Sequence, residues 1–282
     1  MNMNKKWLKK ILYWVLIGFF SLTFALSGFS LIRYYVDSQQ QQDLYNDLAG
    51  MVEASRPQVE DTVPSTGNDD PSDPSDPSEP TGPTEDPVLS AILPEYRAIW
   101  QLNNDLIGWI KIPDTAINYP VLQSKEKDYY LYRNFNGEEN IHGAIYAREE
   151  CDVLTPSDNV TVYGHHMKDG SMFNNLDFFM KKSFWKDHQT FTFDTIHERR
   201  TYQVFAVFKT SGDAGVGYPF HVFVDAVSED HFNQFVADIK EMSLYDTGIT
   251  AEYGDKLLCL CTCEYSKWNY RLIVVAKLIE TE

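Results

Sequence analysis

The chain opens on a long apolar run. Ile11 to Ile32 is 22 residues without an ionised side chain. A helix of that length spans about 33 Å at 1.5 Å per residue, enough for the hydrocarbon layer of a bilayer. Beyond it come the polar run Gln39–Gln42 and then Leu44, Leu48, Met51 and Val52. Their spacing predicts that the helix continues as a membrane-proximal stalk over residues 33–56. Residues 57–87 break the pattern, with eight of the 13 prolines, nine acids and no base around Pro71-Ser-Asp-Pro74-Ser-Asp-Pro77-Ser-Glu-Pro80. Such composition cannot bury a core, so a disordered acidic linker is expected there. As a spacer it would reach on the order of 90 Å. From residue 88 periodicity returns. Pro94 to Asn104 reads as a helix, with Pro in its first turn and Tyr96, Ile99, Trp100 and Leu102 at helical spacing. Strand-like runs follow at 107–112, 116–122, 142–147, 159–164, 190–194, 200–208, 256–262 and 270–278. One strong helix interrupts them, with Ser228 as cap, Glu229 and Asp230 in its first turn, and Phe232, Phe235, Val236, Ile239 and Met242 along one face. About eight strands with few helices predict a mainly β barrel or sandwich.

Charge changes this picture in two places. Lys5, Lys6, Lys9 and Lys10 flank the apolar run on its N-terminal side, and no acid lies before residue 33. By the positive-inside rule, residues 1–10 stay cytoplasmic, 11–32 span the membrane and the rest is exported. The rival is a cleaved signal peptide with Ala25-Leu26-Ser27 as its small-residue site, although the run is longer than a signal core. The whole chain of 282 residues carries 41 acids against 24 bases, a net charge of −17. That balance argues against a nucleic-acid-binding surface. Four cysteines in 282 residues also exclude a disulfide-stapled scaffold.

The candidate chemistry lies in residues 88–282. Cys259, Cys261 and Cys263 alternate, so on a strand they share a face. Three readings stand: small buried core residues, a metal site, for which this spacing is poor, or a nucleophile. Cys263 is the candidate nucleophile, because the apolar run gives way there to Glu264-Tyr265-Ser266-Lys267. Arg271 opens the next apolar run and would sit beside Cys263 if a short loop joins the two strands. The alternative is a solvated edge residue. His165 and His166 follow a β run that ends in Gly164, where functional loops commonly begin, although from the residues alone a surface loop pair is the commoner reading. His142, His188, His197, His221 and His231 have no supporting context and are read as structural.

Together these pieces resemble the sortases, the membrane-anchored cysteine transpeptidases of Gram-positive bacteria. The family's Thr-Leu-x-Thr-Cys strand end appears as Cys259-Leu260-Cys261-Thr262-Cys263, with Cys in place of the first Thr. Arg271 and Tyr163-Gly164-His165 match its other two site segments. Met167-Lys168-Asp169-Gly170-Ser171-Met172-Phe173, Gly108-Trp109-Ile110, Ile117–Gln123 and Asp128-Tyr129-Tyr130-Leu131 resemble class B in particular, as does the helix at 229–242. The resemblance spans roughly residues 95–280 and implies a closed eight-stranded β-barrel with a flanking N-terminal helix and a helix inserted between late strands. It implies Cys263 as nucleophile, His165 as general acid/base and Arg271 as substrate or oxyanion donor, with Thr262 and Glu264 as substrate contacts or strand-end hydrogen-bonders. It implies no metal and no cofactor. The expected partners are secreted proteins bearing an Asn-Pro-x-Thr-like signal and an amine of a peptidoglycan precursor or a pilin. The closing residues Lys277–Glu282 carry no sorting signal, so the expected role is enzyme and not cargo. Two rivals are an L,D-transpeptidase, whose Ser-His-Gly-Cys signature is absent, and a non-enzymatic stalked surface protein.

Overall fold

The computed structural model describes residues 3–57, 86–213 and 215–282. All but the ends of the segment read as an acidic linker therefore lie outside the described residues. The chain divides into two compact units, Met1–Tyr45 and Asn46–Glu282. In the first, every described residue belongs to helix α1, which runs Met3–Ser55 and crosses into the second unit. An 18-residue window of α1 has mean hydropathy 2.1 and no buried residue, so the helix is long and apolar enough to cross a membrane. That is compatible with a single-pass anchor.

The second unit is a closed barrel of eight strands: β1 Leu106–Lys111, β2 Asn118–Leu122, β3 Ile145–Ala147, β4 Asn159–Tyr163, β5 Thr190–Thr195, β6 Arg200–Ser211, β7 Leu257–Glu264 and β8 Tyr270–Thr281. Their order around the barrel is β1-β2-β3-β4-β7-β8-β6-β5, and β5 pairs with β1 to close it. Pairs β2/β3 and β4/β7 are parallel and the others antiparallel. All eight expected strands are present, and closure resolves the barrel-or-sandwich choice. Four short or medium helices flank the barrel: α2 Pro87–Ser90, α3 Pro94–Leu102, α4 Lys182–Asp187 and α5 Glu229–Met242.

Helix α5 forms as its sequence dictates. The Ser228 side chain accepts the His231 N–H, and two acids occupy the first turn. Phe232, Phe235, Val236 and Ile239 pack against Phe205, Phe208, Cys259, Cys261 and Ile273 on the outside of the barrel, with Met242 at the margin. Helix α3 buries Tyr96 and Ile99, but Leu102 is 63% exposed, because the helix ends there instead of turning back onto the barrel. The fully buried Glu95 of α3 pairs with Arg199, and Arg56, just past α1, lies 3.8 Å from Glu95 and 3.7 Å from Asp194. Leu48 and Val52 are also buried, so the last turns of α1 are part of the folded unit.

Candidate active site

Two strand pairings assemble the site. Antiparallel β7 and β8 place Cys263 directly opposite Arg271, one step before the turn at Glu264 and Tyr270. Parallel β4 and β7 pair Tyr163 with Cys261, and the Gly164 N–H donates to the Cys261 carbonyl at 3.1 Å. Two residues past β4, His165 therefore emerges at the same end of the barrel as Cys263. The buried Thr262 hydroxyl donates to the Gly164 carbonyl at 2.8 Å and ties the two elements together. Gly164 has no room for a side chain, since a Cβ there would lie 2.5 Å from Ile145 Cδ1 and 2.7 Å from the Phe173 ring.

The cysteine row divides as the alternation predicts. Cys259 and Cys261 are buried under α5, and only Cys263 is partly exposed. Burial pushes the Cys259 thiol well up and that of Cys261 up to about 12, the latter against the opposing pull of Arg271. Both are neutral packing groups. No cluster of metal-ligating side chains occurs among the described residues.

His165 lies half-buried with its Nε2 2.7 Å from the Leu131 carbonyl. A carbonyl only accepts, so Nε2 carries the hydrogen and Nδ1 is the nitrogen that gains and loses a proton. Burial holds the His165 pKa below the ordinary imidazole value; the Leu131 bond opposes this, and His142 and Arg271 reinforce it by charge. His166 faces elsewhere. Its Nε2 meets Asp177 at 2.8 Å, a contact that pushes its pKa up, and its ring packs edge-on against Tyr265.

His165, Cys263 and Arg271 line one cleft of about 410 Å³, whose walls include Leu131, Tyr132 and Tyr163. Arg271 is steadied by the Asn269 side chain at 3.0 Å and the Tyr270 carbonyl at 3.1 Å. Thr262 borders this cleft with its hydroxyl committed to Gly164. Glu264 stands outside it, accepting from Lys209 at 3.0 Å and from the Ser266 hydroxyl at 2.5 Å. Burial alone would raise the Glu264 pKa, but these donors hold it down. Two histidines read as structural lie at or beside this cleft. His221 lines the cleft, with its carbonyl bonded to Arg148, and His142 lies against the loop that holds His165. Neither carries a local motif; only the fold brings them near.

A thiol, an imidazole and a guanidinium around one cleft at the end of a closed mixed barrel are the groups that cysteine acyl transfer requires. Residues 110–279 match the family model described as the Sortase domain. The chain belongs to the sortase family of cysteine transpeptidases. It is 31% identical to Sortase B of Staphylococcus aureus over 191 residues, which is 67% of this chain and 76% of the relative. It is 32% identical to Sortase B of Listeria monocytogenes over 188 residues, 66% of this chain and 74% of the relative. The crystal structure of sortase B from B. anthracis in complex with AAEK1 matches with TM-score 0.68 at 30% identity, covering 87% of this chain and 99% of that one. These likenesses place it in class B.

Proposed function

We propose that this enzyme is a membrane-anchored, extracellular transpeptidase that cleaves a C-terminal sorting signal after Thr and transfers the protein to an amine. The observation that carries the reading is the convergence of Cys263, Arg271 and His165 on one cleft from β7, β8 and the β4 exit. The Cys263 thiolate attacks the Thr carbonyl carbon, forming the C–S bond. Arg271, whose charge is permanent, donates to the oxygen as it becomes anionic. The His165 imidazolium protonates the departing amine, the C–N bond breaks and a thioester remains. An incoming amine then loses a proton to His165, attacks the thioester and expels the Cys263 thiolate. Thr262 contributes by holding the His165 loop against β7, and Glu264 by fixing the β7–β8 turn.

The signal is of Asn-Pro-x-Thr type, in keeping with the class. The acceptor is an amine of the cell wall or of a pilin, a reading supported by a sortase B solved in complex with triglycine, a peptide that begins with a primary amine. Residues 1–10 are cytoplasmic, 11–32 cross the membrane, 33–56 form the stalk, 57–87 the acidic linker and 88–282 the exported catalytic portion. Incubating the full chain in detergent with Asn-Pro-x-Thr and Leu-Pro-x-Thr peptides and oligoglycine tests the specificity. The expected outcome is preferential consumption of the Asn-Pro-x-Thr peptide with an oligoglycine-ligated product. Equal or opposite preference would reject the signal assignment, and hydrolysis without ligation would reject the acceptor.

A further inference from the structure

His142 is 1% exposed and lies in the loop that leads into β3. Both its ring nitrogens face oxygen. Nδ1 is 3.0 Å from Asn140 Oδ1 and Nε2 is 3.3 Å from Asp169 Oδ2. The Asn140 oxygen also accepts the His142 backbone N–H at 2.8 Å, which fixes it as the acceptor end of the amide. A ring carrying two N–H groups satisfies both contacts. The other Asp169 oxygen accepts from the Ser171 N–H at 2.9 Å and the Ser171 hydroxyl at 2.6 Å. The pair thus joins the loop before β3 to the turn at 169–171. That turn leads back to the catalytic loop, where the Phe173 N–H donates to the His165 carbonyl at 2.9 Å.

The neighbour of His142 leaves no room for a side chain beside the His165 ring. Gly143 has φ +58°, and a Cβ there would stand 2.5 Å from the Leu131 carbonyl, 2.8 Å from the Tyr130 carbonyl and 3.1 Å from His165 Cδ2. The Ala144 N–H donates to Tyr130 at 3.1 Å, and the Asn140 N–H to Tyr132 at 2.9 Å. The segment Asn140–Ala144 therefore braces the turn that presents the Leu131 carbonyl to His165 Nε2. A charge on His142 and the charge on Arg271 both oppose a charge on His165. The other charged groups of the cleft are Lys127, Asp128, Arg148 and Glu149, with Cys263 as its thiol. Lys168, next to Asp169 in the chain, and Tyr119, whose hydroxyl accepts the Met172 N–H, are further titratable groups near Asp169.

We propose that the buried His142–Asp169 pair is a positioning unit for His165, fixing the turn whose Leu131 carbonyl orients its ring. The proposal rests on His165 being the acid/base of the site. His142 touches no reacting atom.

The test uses the full chain in detergent, with His142→Gln, His142→Ala and Asp169→Asn compared by pH profile, kcat and KM, and thermal unfolding. His142→Gln keeps a donor to either oxygen without the charge. The expected result is a basic limb moved to higher pH, with KM within about twofold. For His142→Ala and Asp169→Asn, a kcat loss on the order of ten- to a hundredfold is expected from a misaligned ring. An unchanged pH limb and unchanged kcat in folded His142→Gln and Asp169→Asn would overturn the proposal, whether or not His142→Ala folds. His165→Ala separates the two readings. If it is active, the acid/base assignment fails, and if it is inactive while the His142 and Asp169 variants behave as wild type, only the positioning role fails.

Discussion

Three thiols on one face of β7 meet two fates set by position alone. Cys259 and Cys261 sit under α5, where the thiolate form is penalised, and Cys263 reaches the cleft. A water-soluble thiol reagent should therefore add one mass to the folded enzyme, on Cys263, and four after denaturation. Early labelling of Cys261 would contradict the packing. Arg271 stands across from Cys263 with its planar fork held by Asn269 and Tyr270. Lysine keeps the charge but not the fork. Arg271→Lys should cut kcat/KM on the order of a hundredfold or more, with less effect on KM. His165 titrates below an ordinary histidine because burial and the charges of Arg271 and His142 outweigh the Leu131 bond. Removing a positive neighbour favours the charged ring, so Arg271→Ala should move the His165 midpoint upward in an NMR titration of ring-labelled histidine. A downward shift would show that the guanidinium does not act on the ring.

Between elements, the critical joint is the parallel β4/β7 pair and its continuation through Gly164. A Cβ at Gly164 meets Ile145 and Phe173 at under 3 Å, and those neighbours are buried. Gly164→Ala should cost about 1–3 kcal/mol in a denaturant titration and lower activity more than stability, since His165 is the next residue. Apart from its ends, the acidic segment read as a spacer lies outside the described residues, but the residues on either side of it are placed. Arg56 pairs with Asp194 near the end of β5, and the Leu93 N–H donates to Ile196 at 2.7 Å just beyond it. The described residues on either side of the segment thus both meet the end of β5 within the second unit. Deleting residues 60–84 should leave surface anchoring in cells unchanged; a clear drop would support the spacer reading. The strands, α5 and its cap were legible because their hydrophobic period and turn residues agree. Leu102 was misplaced because a helix end is set by the next contact and not by periodicity. His142 was invisible because its partners, Asp169 and the Leu131 turn, are local only in three dimensions.

For the molecule as a whole, the three candidate site residues were legible in two short segments about a hundred residues apart, and the parallel β4/β7 pairing explains why that spacing works. What the sequence could not supply is which neighbours set the proton affinity of His165, a property of burial, of the Leu131 carbonyl and of charges from two separate segments. If Cys263, acting with His165 and Arg271, carries an acyl group between a sorting signal and an amine, the intermediate is directly visible in the intact mass of the full chain after incubation with an Asn-Pro-x-Thr peptide, before and after adding oligoglycine. The expected species is a thioester adduct on Cys263, absent in Cys263→Ala, that oligoglycine discharges as a ligated peptide. Turnover by Cys263→Ala, or an adduct on another residue, would contradict this role for Cys263.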